Sequence, residues 1–222
     1  PSLFDIGKSG LQAYRQSLAV TGQNIANINT DGYKKREVGL EEVTGAGGGV
    51  TEISDQTGLG VRVENIKRAF DEFLTDKVRQ TSALFEKTDS FLKEVKDLEN
   101  LLLPSDANLS NSIGEFFGSL QQIAAAPDDQ APRIIAIEKG KDLAGQFNLY
   151  SDRIARLKEK IFDKSESAKT SVNLFAKQIS NINAKLLASG GAGDSSNALL
   201  DQRDLLIDQL AQICQISVSY IN

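Results

Sequence analysis

From Phe4 to Ile28 a repeat of three and four residues runs without a slip: Phe4, Gly7, Leu11, Tyr14, Leu18, Thr21, Ile25, Ile28. A period of 3.5 marks the seam of a coiled coil, not a helix resting on a globular core. The large apolar members are Phe4, Leu11, Tyr14, Leu18, Ile25 and Ile28, with Gly7 and Thr21 diluting the stripe. The rest of the turn is polar or small, with Lys8, Gln12, Arg15, Gln16, Gln23 and Asn24. A narrow apolar stripe of this kind calls for a partner helix, and it predicts a helix over 3–29.

Composition narrows the chemistry. The chain has 222 residues, 40% of them hydrophobic and 25% charged, enough to bury a core. The net charge of -5 argues against nucleic acid as a partner, and Lys34, Lys35 and Arg36 form the sole basic run. There is no His or Trp, and one Cys, Cys214. No Ser-His-Asp or Cys-His pair and no His/Cys zinc site can be built, so no enzyme, cofactor or metal is expected. Cys214, next to Ile213 and near Ile216, reads as a small buried apolar residue. No basic-then-apolar leader opens the sequence and no run of 18 apolar residues occurs, so neither a secretory signal nor a membrane anchor is expected. The default reading is cytoplasmic.

The order of elements follows from period and punctuation. Asn27, Asn29, Thr30, Asp31 and Gly32 turn the chain. A β/loop insert over 33–68 follows, with Val38, Leu40 and Val43 loosely spaced and Val61, Val63 and Ile66 as a strand. Gly45, Gly47, Gly48 and Gly49 read as a loop, since they lack the Lys-Ser/Thr ending of a phosphate cradle. A helix over 70–102 carries Phe70, Leu74, Val78, Thr81, Phe85, Thr88, Leu92, Val95, Leu98 and Leu102, and Pro104, Ser105 and Asp106 end it. Leu109, Ile113, Phe116, Phe117, Leu120 and Ile123 give a third, wide apolar face. Pro127 breaks it, and Asp128 or Asp129 caps a long helix over 131–188, with Pro132 in its first turn. That helix is a rod of roughly 85 Å at 1.5 Å per residue, with one stutter between Lys164 and Val172. Gly190, Gly191 and Gly193 close it, and a fifth helix over 197–213 follows. Ile216, Val218 and Tyr220 alternate as the start of a strand, so the chain reads as a fragment. The fold class is mainly α: a long antiparallel bundle or coiled coil with a small β/loop insert after the first helix. The division is an N-terminal region 1–103 and a helical layer 104–222.

Two blocks resemble the shared signature of the axial proteins of the bacterial flagellum. One is Ser9-Gly10-Leu11 with Asn24, Asn27 and Thr30-Asp31-Gly32-Tyr33. The other is Gly58 to Val63 followed by Arg68, Asp71 and Phe73. Two more, Phe116 to Gln121 with Pro127 and Arg133, and Leu199-Leu200-Asp201-Gln202-Arg203-Asp204, are similar to the family of first hook-associated proteins, which join hook to filament. Asp31 and Lys34 depart from that family's pattern inside a turn. The resemblance implies a structural protein that polymerises as a tubular layer. Its partners would be copies of itself, hook protein, other hook-associated proteins and the flagellar export apparatus. It also implies an extracellular location reached without a cleaved signal, which replaces the cytoplasmic default. It implies outer domains and a C-terminal helix that pairs with the first. Another axial protein of rod or hook, or a soluble adaptor holding an amphipathic helix, are the other readings.

Among candidate sites, Asp201 and Asp204 lie three apart on one helix face beside Arg203, and read as a polar lock for helix packing, not as catalytic carboxylates. Glu41-Glu42 and Asp128-Asp129 read as solvated loop or cap, and the sequon at Asn108 as a chance match. Asn24, Asn27 and Asn29 crowd one helix end. Asn is unfavourable there unless bonded, so these residues and Tyr33 are expected to contact a neighbouring subunit.

Overall fold

The computed structural model describes residues 3–43, 58–102, 109–189 and 194–220, with the backbone alone at 194 and 195. The elements are α1 (Leu3–Ala26), β1 (Arg36–Glu42), β2 (Val61–Arg68), α2 (Glu72–Leu102), α3 (Leu109–Ala125), α4 (Gln130–Ala188) and α5 (Asp194–Ile213). The fold is mainly α with a two-stranded antiparallel sheet. The glycine loop at 45–49, Pro104 to Asp106, Asn108 and the glycines at 190–193 lie outside the described residues. α1 stops three residues short of the expected 29, because Asn27 to Tyr33 already form turns, with Thr30 N–H on Asn27 O and Tyr33 N–H on Thr30 O.

The chain divides into two compact units, Pro1–Leu84 with Val172–Asn222, and Phe85–Ser171. The cut runs across α2 and α4, whereas the sequence reading divides at 103/104.

In the first unit α1 lies on the hairpin of β1 and β2, and α5 lies against β2. The strands pair Arg36 with Arg68, Val38 with Ile66 and Gly39 with Asn65, then Leu40 with Val63. Glu64 is therefore an extra residue, a bulge. A bulge shifts which alternate residues face inward. That is why Val61 and Val63 turn inward at odd positions while Ile66 and Arg68 do so at even ones. Gly60 enters β2 with φ +110, and a Cβ there would stand 2.2 Å from Ser9 Oγ. That hydroxyl donates to Ile6 O at 2.7 Å and accepts Val61 N–H at 3.2 Å, so the close approach joins α1 to β2. Asp71 caps α2 by accepting Leu74 N–H at 2.9 Å.

The run after α5 carries the expected alternation, but among the described residues 214–220 make no ladder with any strand. Cys214, Ile216, Val218 and Tyr220 still alternate inward, so the pattern reports an extended run half-buried on one side. Period two records the faces of a strand-like backbone, not the presence of a pairing edge. Cys214 is only half-buried, with its thiol toward Leu210 O.

In the second unit the C-terminal half of α2 runs antiparallel to α4: Lys160 pairs with Asp97, and Lys164 with Glu94. α3 turns back along α4 with Lys139 on Glu115, and a Cβ added at Gly140 would stand 3.3 Å from the Phe116 ring. Asp129 caps α4 through Ala131 N–H at 3.0 Å. Phe117 does not widen the inner face of α3 as expected. It is exposed and meets Phe116 edge-to-face at 5.7 Å, because adjacent helical residues point about 100° apart.

Two outcomes test these packing arguments. Gly60→Ala should destabilise the protein by about 2 kcal/mol, through strain at positive φ and displacement of Ser9, read as a lower urea midpoint. In the second unit, a hydrogen bond from the Lys160 ammonium and then its charge hold the Asp97 carboxyl below its ordinary value. A lowered carboxylate contributes stability above its unfolded pKa and loses it as pH falls through the folded one. The small thermal-midpoint gap between the protein and Asp97→Asn should therefore be full at neutral pH and close in acid.

Candidate functional site

α1 has two stripes of the same period. The inner one is Gly10, Ala13, Ser17, Val20, Asn24 and Asn27, small or polar, with Ala13 and Val20 buried. Small side chains let the hairpin approach closely, and the amides find partners there. The outer one is the predicted seam. Phe4, Leu11, Tyr14, Leu18, Ile25 and Ile28 are 68–79% exposed. The helix thus seats its weaker face and presents its apolar one. α2 repeats this inversion: Arg79 is buried while Leu74, Val78 and Phe85 are exposed. Exposed apolar residues of this size, aligned along one helix, mark an interaction surface. Burial is worth about 1.5–3 kcal/mol for each large apolar side chain.

Beneath the seam lies a polar lock. Asn24 Oδ1 accepts Arg36 N–H at 2.8 Å and Asn24 Nδ2 donates to Arg36 O at 2.9 Å. Tyr33 Oη donates to the same Oδ1 at 2.8 Å. Arg36 stacks over the Tyr33 ring at 4.9 Å, donates through Nη1 to Lys34 O and reaches Asp201 Oδ2 through Nη2 at 2.6 Å. Arg68 Nη1 bridges Asp201 Oδ1 at 2.9 Å and Asp204 Oδ2 at 2.7 Å, and stacks over Phe70. Arg79 Nε donates to Asp208 Oδ1 at 2.6 Å. Burial works against the charge of Arg79, but bonds to Tyr220 and Asp208 outweigh it and raise its pKa. Asp201, Asp204 and Asp208 sit at i, i+3 and i+7, one face of α5, against three arginines from β1, β2 and α2. Asp76 also pairs with Arg79 at 3.5 Å, so three arginines meet four carboxylates, with Asp201 and Asp204 buried and Asp76 and Asp208 partly exposed. Pairing of this kind is the condition under which charges stay buried.

The residues singled out from sequence divide accordingly. Asn24, Tyr33, Asp201 and Asp204 meet in the lock, and Gly32, at φ +80, lies 3.1 Å from Leu205 when given a Cβ. Asn24 and Tyr33 find their partners within the chain, through the bonds just given. Asn27 Nδ2 donates to Gln23 O and its Oδ1 accepts Thr30 Oγ1, a local cap. Ser9 ties α1 to β2, and Gly10 lies on the inner stripe. Leu199 and Leu200 are half-buried and Gln202 is exposed. Arg203 stays out of the lock and lies over the Tyr220 ring at 5.7 Å. Sequence reasoning missed Arg36, Arg68, Arg79 and Asp208 as lock members. The one legible signal was Asp208, four residues after Asp204. Among the described residues no cluster of three or more carboxylate or Cys groups is placed to hold a metal ion. None of their helices is long and apolar enough to cross a membrane.

Comparison with known proteins adds to this geometry. Residues 95–222 match the family model of the flagellar hook-associated protein FlgK helical domain. The chain belongs to the FlgK family of flagellar hook-associated proteins. Residues 4–34 match the flagella basal body rod protein model. The chain is similar to flagellar hook-associated protein 1 of Salmonella typhimurium, 31% identical over 98% of this chain and 39% of that protein. It is 32% identical to the protein of that name in Escherichia coli, over 98% and 40%, and 28% to that in Bacillus subtilis, over 98% and 44%. It therefore spans about two fifths of the length of these relatives. The FlgK family is one of flagellar structural proteins, and both junction-type motifs, at 116–121 and 199–204, fall inside the matched span.

Asp201→Ala should strand two arginines and cost about 3–5 kcal/mol, whereas Glu41→Ala, in an exposed pair with Arg62, should cost less than about 1 kcal/mol. Urea midpoints of the two variants provide the measurement.

Proposed function

We propose that this chain is a structural subunit of the bacterial flagellum that polymerises, with its neighbours, into the tubular layer joining hook to filament. The exposed seam on α1 carries this reading. A single subunit gains little by presenting Phe4, Leu11, Tyr14, Leu18, Ile25 and Ile28 to water, while a tube of subunits gains that burial at every copy. The seam would take a helix in coiled-coil packing, either the parent protein's C-terminal helix or a neighbour's. Membership of the FlgK family supports the flagellar setting and a role without catalysis. It also supports hook protein and other hook-associated proteins as partners, and an extracellular location reached through the flagellar export apparatus.

A rod or hook role is the second reading, favoured by the rod-protein match at 4–34. A match to the flagellar hook protein FlgE of Borreliella burgdorferi, 33% identical over 41% of this chain, favours it too. The longer match over 95–222 supports the hook-associated role instead.

The test is complementation of a strain lacking this protein with a Leu11→Asp, Leu18→Asp variant. Both side chains are exposed, so the purified variant should keep its thermal midpoint. Electron microscopy should find hooks without filaments. Filaments attached as in the parent strain would reject the seam as the assembly surface.

A further inference from the structure

Arg79 is a buried group whose bonding is unfinished. Its Nε donates to Asp208 and its Nη1 to Tyr220 Oη at 2.8 Å and, at 3.5 Å, to Asp76 Oδ1. Its Nη2 has no hydrogen-bond partner, and neither has Asp204 Oδ1; both are sealed from solvent, and they face each other at 3.6 Å. Two dry, oppositely charged atoms close to bonding distance unless something holds them apart, because leaving such a bond unmade is unfavourable. Asp204 is held by Arg68 on its other oxygen. The guanidinium is a rigid planar fork, so placing Nη1 on Tyr220 fixes where Nη2 lies. Tyr220 is seated in turn by an edge-to-face contact with Phe70 at 5.9 Å and by Arg203 over its ring.

We infer that Tyr220 is a latch that holds Arg79 off Asp204. The seating of the run 214–220 and the grip of α5 on the hairpin then oppose each other. With Tyr220 seated, Arg79 is committed to Asp208, to the phenol and, more loosely, to Asp76. With Tyr220 withdrawn, Nη2 closes on Asp204 Oδ1, Asp204 bridges Arg68 and Arg79, and β2 is tied more firmly to α5 and α2. The coupling is reciprocal, so a change at the hairpin also alters how firmly Tyr220 is held.

Tyr220→Phe keeps the ring contacts and removes the accepting oxygen. Amide hydrogen exchange of residues 36–42 and 61–68 is measured in the protein, in Tyr220→Phe, in Asp204→Asn and in the double variant. Tyr220→Phe should slow hairpin exchange by about three- to tenfold. Adding it to Asp204→Asn should change nothing further. Unchanged or faster exchange in Tyr220→Phe overturns the latch, and so does slowing that persists in the Asp204→Asn background. If Asp204→Asn fails to fold, Tyr220→Phe against the parent still decides.

Discussion

Each carboxylate of the lock serves more than one element. Asp201 takes Arg36 from β1 and Arg68 from β2, while Asp204 takes Arg68 and faces Arg79 from α2. A buried ion pair adds little stability over a well-packed apolar pair, because desolvation offsets the attraction. Its effect is on geometry. An apolar core tolerates small slips of one element over another, but a guanidinium shared between two carboxylates does not, since a slip strands a charge. The lock therefore sets where the hairpin stands on α5, and α1 stands on the hairpin through Asn24 and Ser9.

This arrangement explains how the unit can turn its apolar stripe outward. Most small domains hold together by burying such residues, and this one leaves the five seam residues of α1 and Ile28 just past its end in solvent. Cohesion comes instead from the small inner stripe of α1 and from a modest apolar set that includes Ile207 and Ala211, held in register by the polar lock. The residues that hold the unit together are distinct from those of the exposed stripe, so the stripe can be altered without dismantling the unit that displays it.

The helices and the second strand were legible because period and punctuation are local, while the pairing of that strand with Arg36–Glu42 was not. The seam's exposure was legible too, since a 3.5 period without a partner in sequence implies one elsewhere. The lock was legible only in part. Asp201 and Asp204 were found by their spacing, but Arg68 and Asp201 are 133 residues apart, and an arginine gives no sign in sequence of being buried. Lys34-Lys35-Arg36 reads as one basic run, yet only Arg36 is buried, because strand alternation turns it inward beside exposed Lys35. Of the crowded asparagines, Asn24 and Asn27 are bonded within the chain. Asn24 finds its partner on the strand returning past α1 and Asn27 within its own turn, and nothing local announces the first of these.

The amide of Asn24 engages both the N–H and the C=O of Arg36, as the backbone of an adjacent strand would. A two-stranded sheet has open edges, and an open edge recruits stray strands into aggregates. At Arg36 that edge is already occupied by a helix side chain. The hairpin is thereby shielded, at this position, from β-type association, and helices are left as the faces by which copies of the chain can join. A chain with so much exposed apolar helix surface gains from having its sheet taken out of the competition.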